Sequence, residues 1–318
     1  MHSSTRDGRV AVIIPVYRAR FLAEALESVF FQSRPADQVI VVDDGSPDQY
    51  ALQSALAAYG GRVQVICQPN RGAGAARNAG IAAATTEFVA FLDADDRWLP
   101  NYLYSQREML ADAPELDVVY TDGMFIGKTP FAGKTLMSEI PSCGEVTLKA
   151  LLSQQCTVHL SAAVARREAI IRTGMFDATL RRGQDFDLWL RLARDGAHFS
   201  YQRKVLMLRR VHDDNLSGDQ MTELERALTV YRKTLRTMEL DLGERSAAQR
   251  RVRELESGLA RERGKELLRR GELAAAYSAL RHAGQRGWKV WAALVGIRIA
   301  PALMRRLYVV RTAASPAS

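Results

Sequence analysis

Cysteine is scarce and poorly spaced for a framework. The 318 residues include three, Cys67, Cys143 and Cys156, an odd number without a CxxC pair, which argues against both a disulfide scaffold and a zinc–thiolate site. Long apolar runs are also missing. The run at residues 10–17 is too short to cross a bilayer, and the first eight residues, MHSSTRDG, have no apolar core of a secretory signal. A reducing cytoplasm is therefore the expected location. What the end of the chain lacks is acid: residues 281–318 carry seven basic side chains and no Asp or Glu.

That imbalance explains the net charge. Residues 219–318 hold 20 Lys+Arg against 11 Asp+Glu, whereas residues 1–218 hold 24 against 25. The overall +8 thus belongs to the tail and not to a charged groove on the main body. A nucleic-acid partner is not expected, because basic and aromatic residues are not interleaved along the near-neutral part. A chain of this length with 47% hydrophobic residues supports a domain of roughly 200 residues plus an appendage. We place the boundary between residues 218 and 219, where the sequence becomes charged and helical.

What is present in residues 1–218 alternates. Apolar, β-branched runs at residues 10–16, 38–42, 63–67 and 88–92 read as strands, and the segments between them carry helical apolar spacing. The helix after residue 46 would open on Ser46-Pro47. Such alternation indicates an α/β fold with a mostly parallel sheet and helices on both faces. Ligands of such sheets sit at the carboxyl ends of the strands, which here read Pro15-Val16-Tyr17, Asp43-Asp44 and Asp93-Ala94-Asp95. In an extended chain Asp93 and Asp95 share a face, ~6 to 7 Å apart. At an effective dielectric of ~20 they repel by about 2 to 3 kcal/mol, which a bound cation would reverse. A solvated turn is the plainer reading of an isolated Asp-x-Asp.

Six stretches in order, VAVIIPVY, VIVVDDGSPD, NRGAGAARNAG, FVAFLDADD, GQDFDLWLRL and RRVHDDNLS, resemble the family 2 glycosyltransferases with a GT-A fold, across about residues 9–218. The Gly72-Ala73-Gly74 run is no dinucleotide fingerprint, since Arg77 stands where the third glycine belongs. The resemblance implies transfer of a sugar from a nucleotide-diphosphate donor, often UDP-linked in the family and expected to be a UDP-sugar here, to a saccharide or lipid-linked acceptor hydroxyl in cell-surface polysaccharide or glycolipid synthesis.

It further implies that Asp93 and Asp95 hold Mn²⁺ or Mg²⁺, that Pro15, Tyr17, Asp44, Arg77 and Asp93 surround the nucleotide, and that Asp185 is the general base of an inverting displacement. His212 corresponds to a loop histidine near the diphosphate or acceptor. Two positions depart from the pattern: Arg18 stands where Asn is common, and Gln184 where Glu is common. On the residues alone, Asp185 could instead cap its helix with Asp187 complementing the dipole, Arg77 could be a surface arginine and His212 a solvated one. His159, His198 and Trp189 read as structural, and Trp98 either lines the cleft or packs. A catalytically silent sugar-nucleotide-binding protein is the competing function, opposed by the presence of Asp93, Asp95 and Asp185 together. For residues 285–318 two readings stand: peripheral attachment to an anionic membrane on the cytoplasmic side, or helices packed on the protein itself.

Overall fold

The computed structural model describes residues 8–212, 220–284 and 287–306. The chain forms two compact units, Met1–Asp213 and Asp214–Ser318; the expected boundary at residues 218 and 219 lies outside the described residues.

In the first unit, strand β1 (Val10–Val16) is almost wholly buried, which is why its sequence is continuously apolar. Its two faces meet different helices. Val10, Val12, Ile14 and Val16 join the core formed with Leu22, Ala25, Leu26 and Val29 of α1 (Leu22–Phe30). Ile13, on the opposite face, meets Gly80 of α3 (Ala73–Ala83). Strand β2 (Gln38–Asp43) leads to α2 (Gln49–Ala57). This helix is capped by Asp48, which accepts from Ala51 N at 2.9 Å. It does not open on Ser46-Pro47: the cap falls two residues later, and Ser46 instead belongs to the turn that its N–H closes on Asp43 Oδ1 at 2.8 Å. Strands β3 (Gln64–Cys67) and β4 (Phe88–Phe91) complete a parallel set ordered β3-β2-β1-β4. The order reverses direction at β1, so the switch point falls between β1 and β4.

Beyond β4 the sheet becomes mixed. After β5 (Arg97–Trp98) and α4 (Tyr102–Asp112) comes β6 (Val118–Gly127), then the short helices α5 (Leu136–Glu139) and α6 (Leu148–Leu152). Strand β7 (Ala163–Arg166) pairs antiparallel with both β4 and β6. Helices α7 (Arg167–Arg172) and α8 (Gln184–Arg194) precede β8 (Phe199–Val211), which runs parallel to β6 with register shifts around Asp122 and antiparallel to β5. The eight strands make one sheet, β3-β2-β1-β4-β7-β6-β8-β5.

The second unit is helical where described: α9 (Gln220–Thr237), α10 (Leu242–Arg269), α11 (Leu273–Arg281) and α12 (Trp288–Ile299). Asp241 and Glu244 form a reciprocal capping box at the start of α10. Leu268, Leu273, Ala276 and Leu280 pack with Ala293, Leu294 and Ile297 in a separate small core. No helix among the described residues is long and apolar enough to cross a membrane.

The contact between α3 and β1 yields a stability test. A Cβ added at Gly80 would fall well inside van der Waals contact with Ile13 Cγ2, a side chain fixed in the core. Alanine gains ~1 kcal/mol in helix propensity, but overpacking costs about 1 to 3 kcal/mol. Gly80→Ala should therefore lower the thermal midpoint of the first unit by a few degrees; a raised midpoint in calorimetry would mean that α3 simply shifts outward.

Candidate active site

The switch point brings together the ends of β1, β2 and β4. Tyr17 follows β1 and is 44% exposed, and Pro15 is half-buried. Asp43 and Asp44 close β2, both buried. Burial disfavours the Asp43 carboxylate, yet hydrogen bonds from Ser46 and Gln49 outweigh it and hold its pKa below the usual range. Asp44 accepts from Gln68 Nε2 at 2.7 Å, Arg71 N at 2.9 Å and Gly72 N at 2.8 Å. A carboxylate has about four acceptor positions, so one remains on Oδ2 for an incoming donor. Gly72 is the N-cap of α3 and has φ +88°, so Asp44 secures the entry to that helix.

Helix α3 carries Arg77, which is not a surface arginine. It is buried, and its Nη2 lies 2.6 Å from Asp93 Oδ1. Removal from water would raise the Asp93 pKa, but the charge and hydrogen bond of Arg77, with His159 and Arg209 nearby, hold it down. Asp95 shifts the other way, raised by burial and by the negative charge of Asp93. His212 Nε2 lies 3.1 Å from Asp95 Oδ2, and its ring is tilted against Phe21 at 5.0 Å. Three carboxylates, Asp93, Asp95 and Asp96, offer oxygens within 4.8 Å of one another.

Asp96, which the sequence does not single out, explains this arrangement. It is buried, with its pKa raised well above the usual range by burial and by the charges of Asp95 and Asp93. It accepts from Arg210 N at 2.9 Å, while Arg210 Nε donates to Asp95 O at 3.1 Å. These bonds tie the end of β8 to the turn after β4, and so set His212 beside Asp95. Ser161 Oγ accepts from Asp93 N at 3.1 Å and also bonds Asp96. Nothing in the sequence marks Ser161. Arg210 lies in the RRVHDDNLS stretch but resembles an ordinary strand arginine.

At α8 the N-cap is Gly183, in the left-handed conformation at φ +73°, and no side chain caps the helix. Asp185 therefore does not cap; it stands partly exposed in the first turn. Asp187 is fully buried and bonds Arg191 Nε at 2.9 Å, whose other nitrogens donate to Thr173 O and Met175 O. Gln184 accepts from Arg77 Nη1 at 3.4 Å and donates to Leu180 O. A glutamate could not make the second bond, which gives this departure from the pattern a local reason. Gln184 also places the start of α8 against the Arg77–Asp93 pair. Among the residues read as structural, Trp189 is buried and His198 lies largely exposed, 3.9 Å from Asp117. Trp98 packs: it stacks on Tyr102 at 4.1 Å and donates to Ser161 O at 2.7 Å. Arg18 is exposed beside Tyr17.

The sequence profile of glycosyl transferase family 2 matches residues 11–174. The chain belongs to this family, and is a glycosyltransferase. The succinoglycan biosynthesis protein ExoW of Rhizobium meliloti is 32% identical over 196 residues, 54% of this chain and 59% of that one. Among solved structures, TarS residues 1–349 of S. aureus in complex with UDP-GlcNAc aligns with a TM-score of 0.62 at 18% identity, covering 94% of this chain and 88% of that one. The mannosyltransferase PcManGT of Pyrobaculum calidifontis, in complex with GDP-Man and Mn²⁺, aligns with a TM-score of 0.62 at 20% identity, covering 96% and 84%. These likenesses establish the GT-A fold, with a helical region after it.

Proposed function

We propose that this glycosyltransferase is metal-dependent and inverting, and that it moves a sugar from a UDP-linked donor to an acceptor hydroxyl, saccharide or lipid-linked, in cell-surface polysaccharide or glycolipid synthesis on the cytoplasmic side. The observation that carries the reading is the convergence of Asp93, Asp95 and Asp96 with His212 at Asp95. Two partly open carboxylates facing each other repel, and hard oxygen donors with one imidazole suit Mn²⁺ or Mg²⁺; the residues fit the cation. When bound, it would neutralise charge on the departing diphosphate. ExoW, named for succinoglycan biosynthesis, supports the polysaccharide context, and PcManGT with its Mn²⁺ supports the metal.

The chain's own residues then have distinct work. Arg77 keeps Asp93 ionised and aimed, and His212 orients Asp95. Tyr17 offers its ring to the base, beside Pro15, and Asp44 offers its remaining lone pair to a base N–H. Asp185 takes the proton from the acceptor hydroxyl as its oxygen attacks the anomeric carbon, and one base suffices for a single displacement with inversion.

A thermal-shift series tests the donor. Near 100 times its Kd a ligand stabilises by about 2.7 kcal/mol, roughly 5 °C or more for a domain of this size. UDP and UDP-sugars should raise the midpoint by this amount with Mn²⁺ and far less in EDTA. A GDP-sugar that shifts the midpoint more than any UDP-sugar would overturn the choice of nucleotide.

A further inference from the structure

Helix α12 is apolar on two opposite sides. Successive residues advance by about 100°, so Val290, Ala293, Leu294 and Ile297 share one side, and these pack into the small core with α10 and α11. Trp288, Trp291, Ala292, Val295 and Ile299 fall within roughly 100° of arc on the other. There Trp288 is 75% exposed, Trp291 62% and Ile299 78%. Leu303, in the helical turn that follows, is 56% exposed. Lys289 and Arg298 border the stripe, one on each side, and Arg305 and Arg306 follow it, all exposed. Residues 281–306 contain no Asp or Glu.

Single exposed apolar residues are ordinary. Two tryptophans and an isoleucine in line, on a helix whose packing is already satisfied from behind, are not. We propose that this stripe docks on an anionic lipid surface, with α12 lying flat in the headgroup region. Indole rings are suited to that depth, and basic side chains at the borders of the stripe extend their stems along it and place their charges at lipid phosphates. The helix is too short to span the bilayer. Charge decides against a second copy of the chain. Pairing two such stripes would gather Lys289, Arg298, Arg305 and Arg306 of both copies along one seam to which residues 281–306 contribute no carboxylate. The inference is independent of the donor and metal assignments.

The test uses the full-length protein with vesicles of phosphatidylcholine alone or mixed with phosphatidylglycerol. The protein holds four tryptophans, and Trp98 and Trp189 are buried, so a change in emission reports on Trp288 and Trp291. The expected result is co-sedimentation and a blue shift with the mixed vesicles only, weakened markedly by about 0.5 M salt. Trp288→Ala with Trp291→Ala should lower vesicle affinity at least tenfold, and Arg298→Glu by roughly fivefold or more. Because the two indoles point away from the packed side, the far-UV spectrum and unfolding midpoint of the double variant should hold. The proposal is overturned by no binding to mixed vesicles at low salt, by binding that survives the double substitution, or by a dimer that the double substitution dissolves. Emission already blue without lipid and shielded from an aqueous quencher would do so too, since the stripe would then be covered by the chain itself.

Discussion

Asparagine in place of Asp185 should leave UDP affinity within a few-fold and lower the rate of sugar transfer by ~10² or more, the scale of general-base catalysis. The amide keeps the shape of the side chain and loses its basicity. The position makes this test unusually clean. The N-cap of α8 is Gly183 and no side-chain cap bond is present, so the substitution removes no cap. What remains of a structural role is a favourable charge near the helix start, worth ~0.3 to 1 kcal/mol, and Asp187 supplies a second carboxylate in the same turn. The kinetic and structural roles therefore separate: turnover should fall while the unfolding midpoint moves by no more than a few degrees. A variant with unchanged turnover and a lowered midpoint would assign Asp185 to the helix alone.

Alanine in place of Asp95 should abolish the metal dependence of UDP binding. In the parent, Mn²⁺ should tighten UDP by well over tenfold compared with EDTA. In the variant the ratio should collapse toward one, since even groups behind a metal's ligands command 10- to 100-fold in affinity. Asp93 would stay held by Arg77 at 2.6 Å, and the end of β8 would stay anchored through Arg210 N and Asp96. The loss is thus of a ligand and not of the loop. Calorimetry with and without Mn²⁺ measures it; equal UDP affinity in EDTA and in Mn²⁺ for the parent protein would remove the cation from the reading altogether.

The parallel half of the fold is legible because burial on both faces leaves a plain signature. β1, β2 and β4 are uninterrupted apolar runs, each closing on the polar residues that form the site. The helix at Gln184 is legible through the spacing of Phe186, Trp189, Leu190 and Ala193 and the stop at Gly196, although the buried face also takes in Leu188 and Leu192. The later strands are obscured. β6 reads VVYTDGMFIG, and Asp122 and Gly123 interrupt it where its register against β8 shifts. Asp122 is there because it accepts from Met137 N and Gly123 N, contacts that no local pattern reveals. β5 is two residues long and depends wholly on β8. In the site, carboxylates were readable as a pattern, whereas their supports were not. Ser161, Arg210 and Gln184 reach it from distant parts of the chain, and His159, read as structural, lies close enough to act on the charge of Asp93.

Helix α3 is tied to two different strand ends at points one turn apart. Its first turn hangs from Asp44 through Gly72, and one turn further on Arg77 grips Asp93. In the proposed reading, base recognition and diphosphate handling are in this way bolted to a single rigid rod of 11 residues. Anyone seeking to retune the enzyme for another nucleotide would do well to leave Asp44 alone and vary Tyr17, which stands free of that rod; a change at Asp44 would travel along it and arrive as a fault at Arg77 and Asp93.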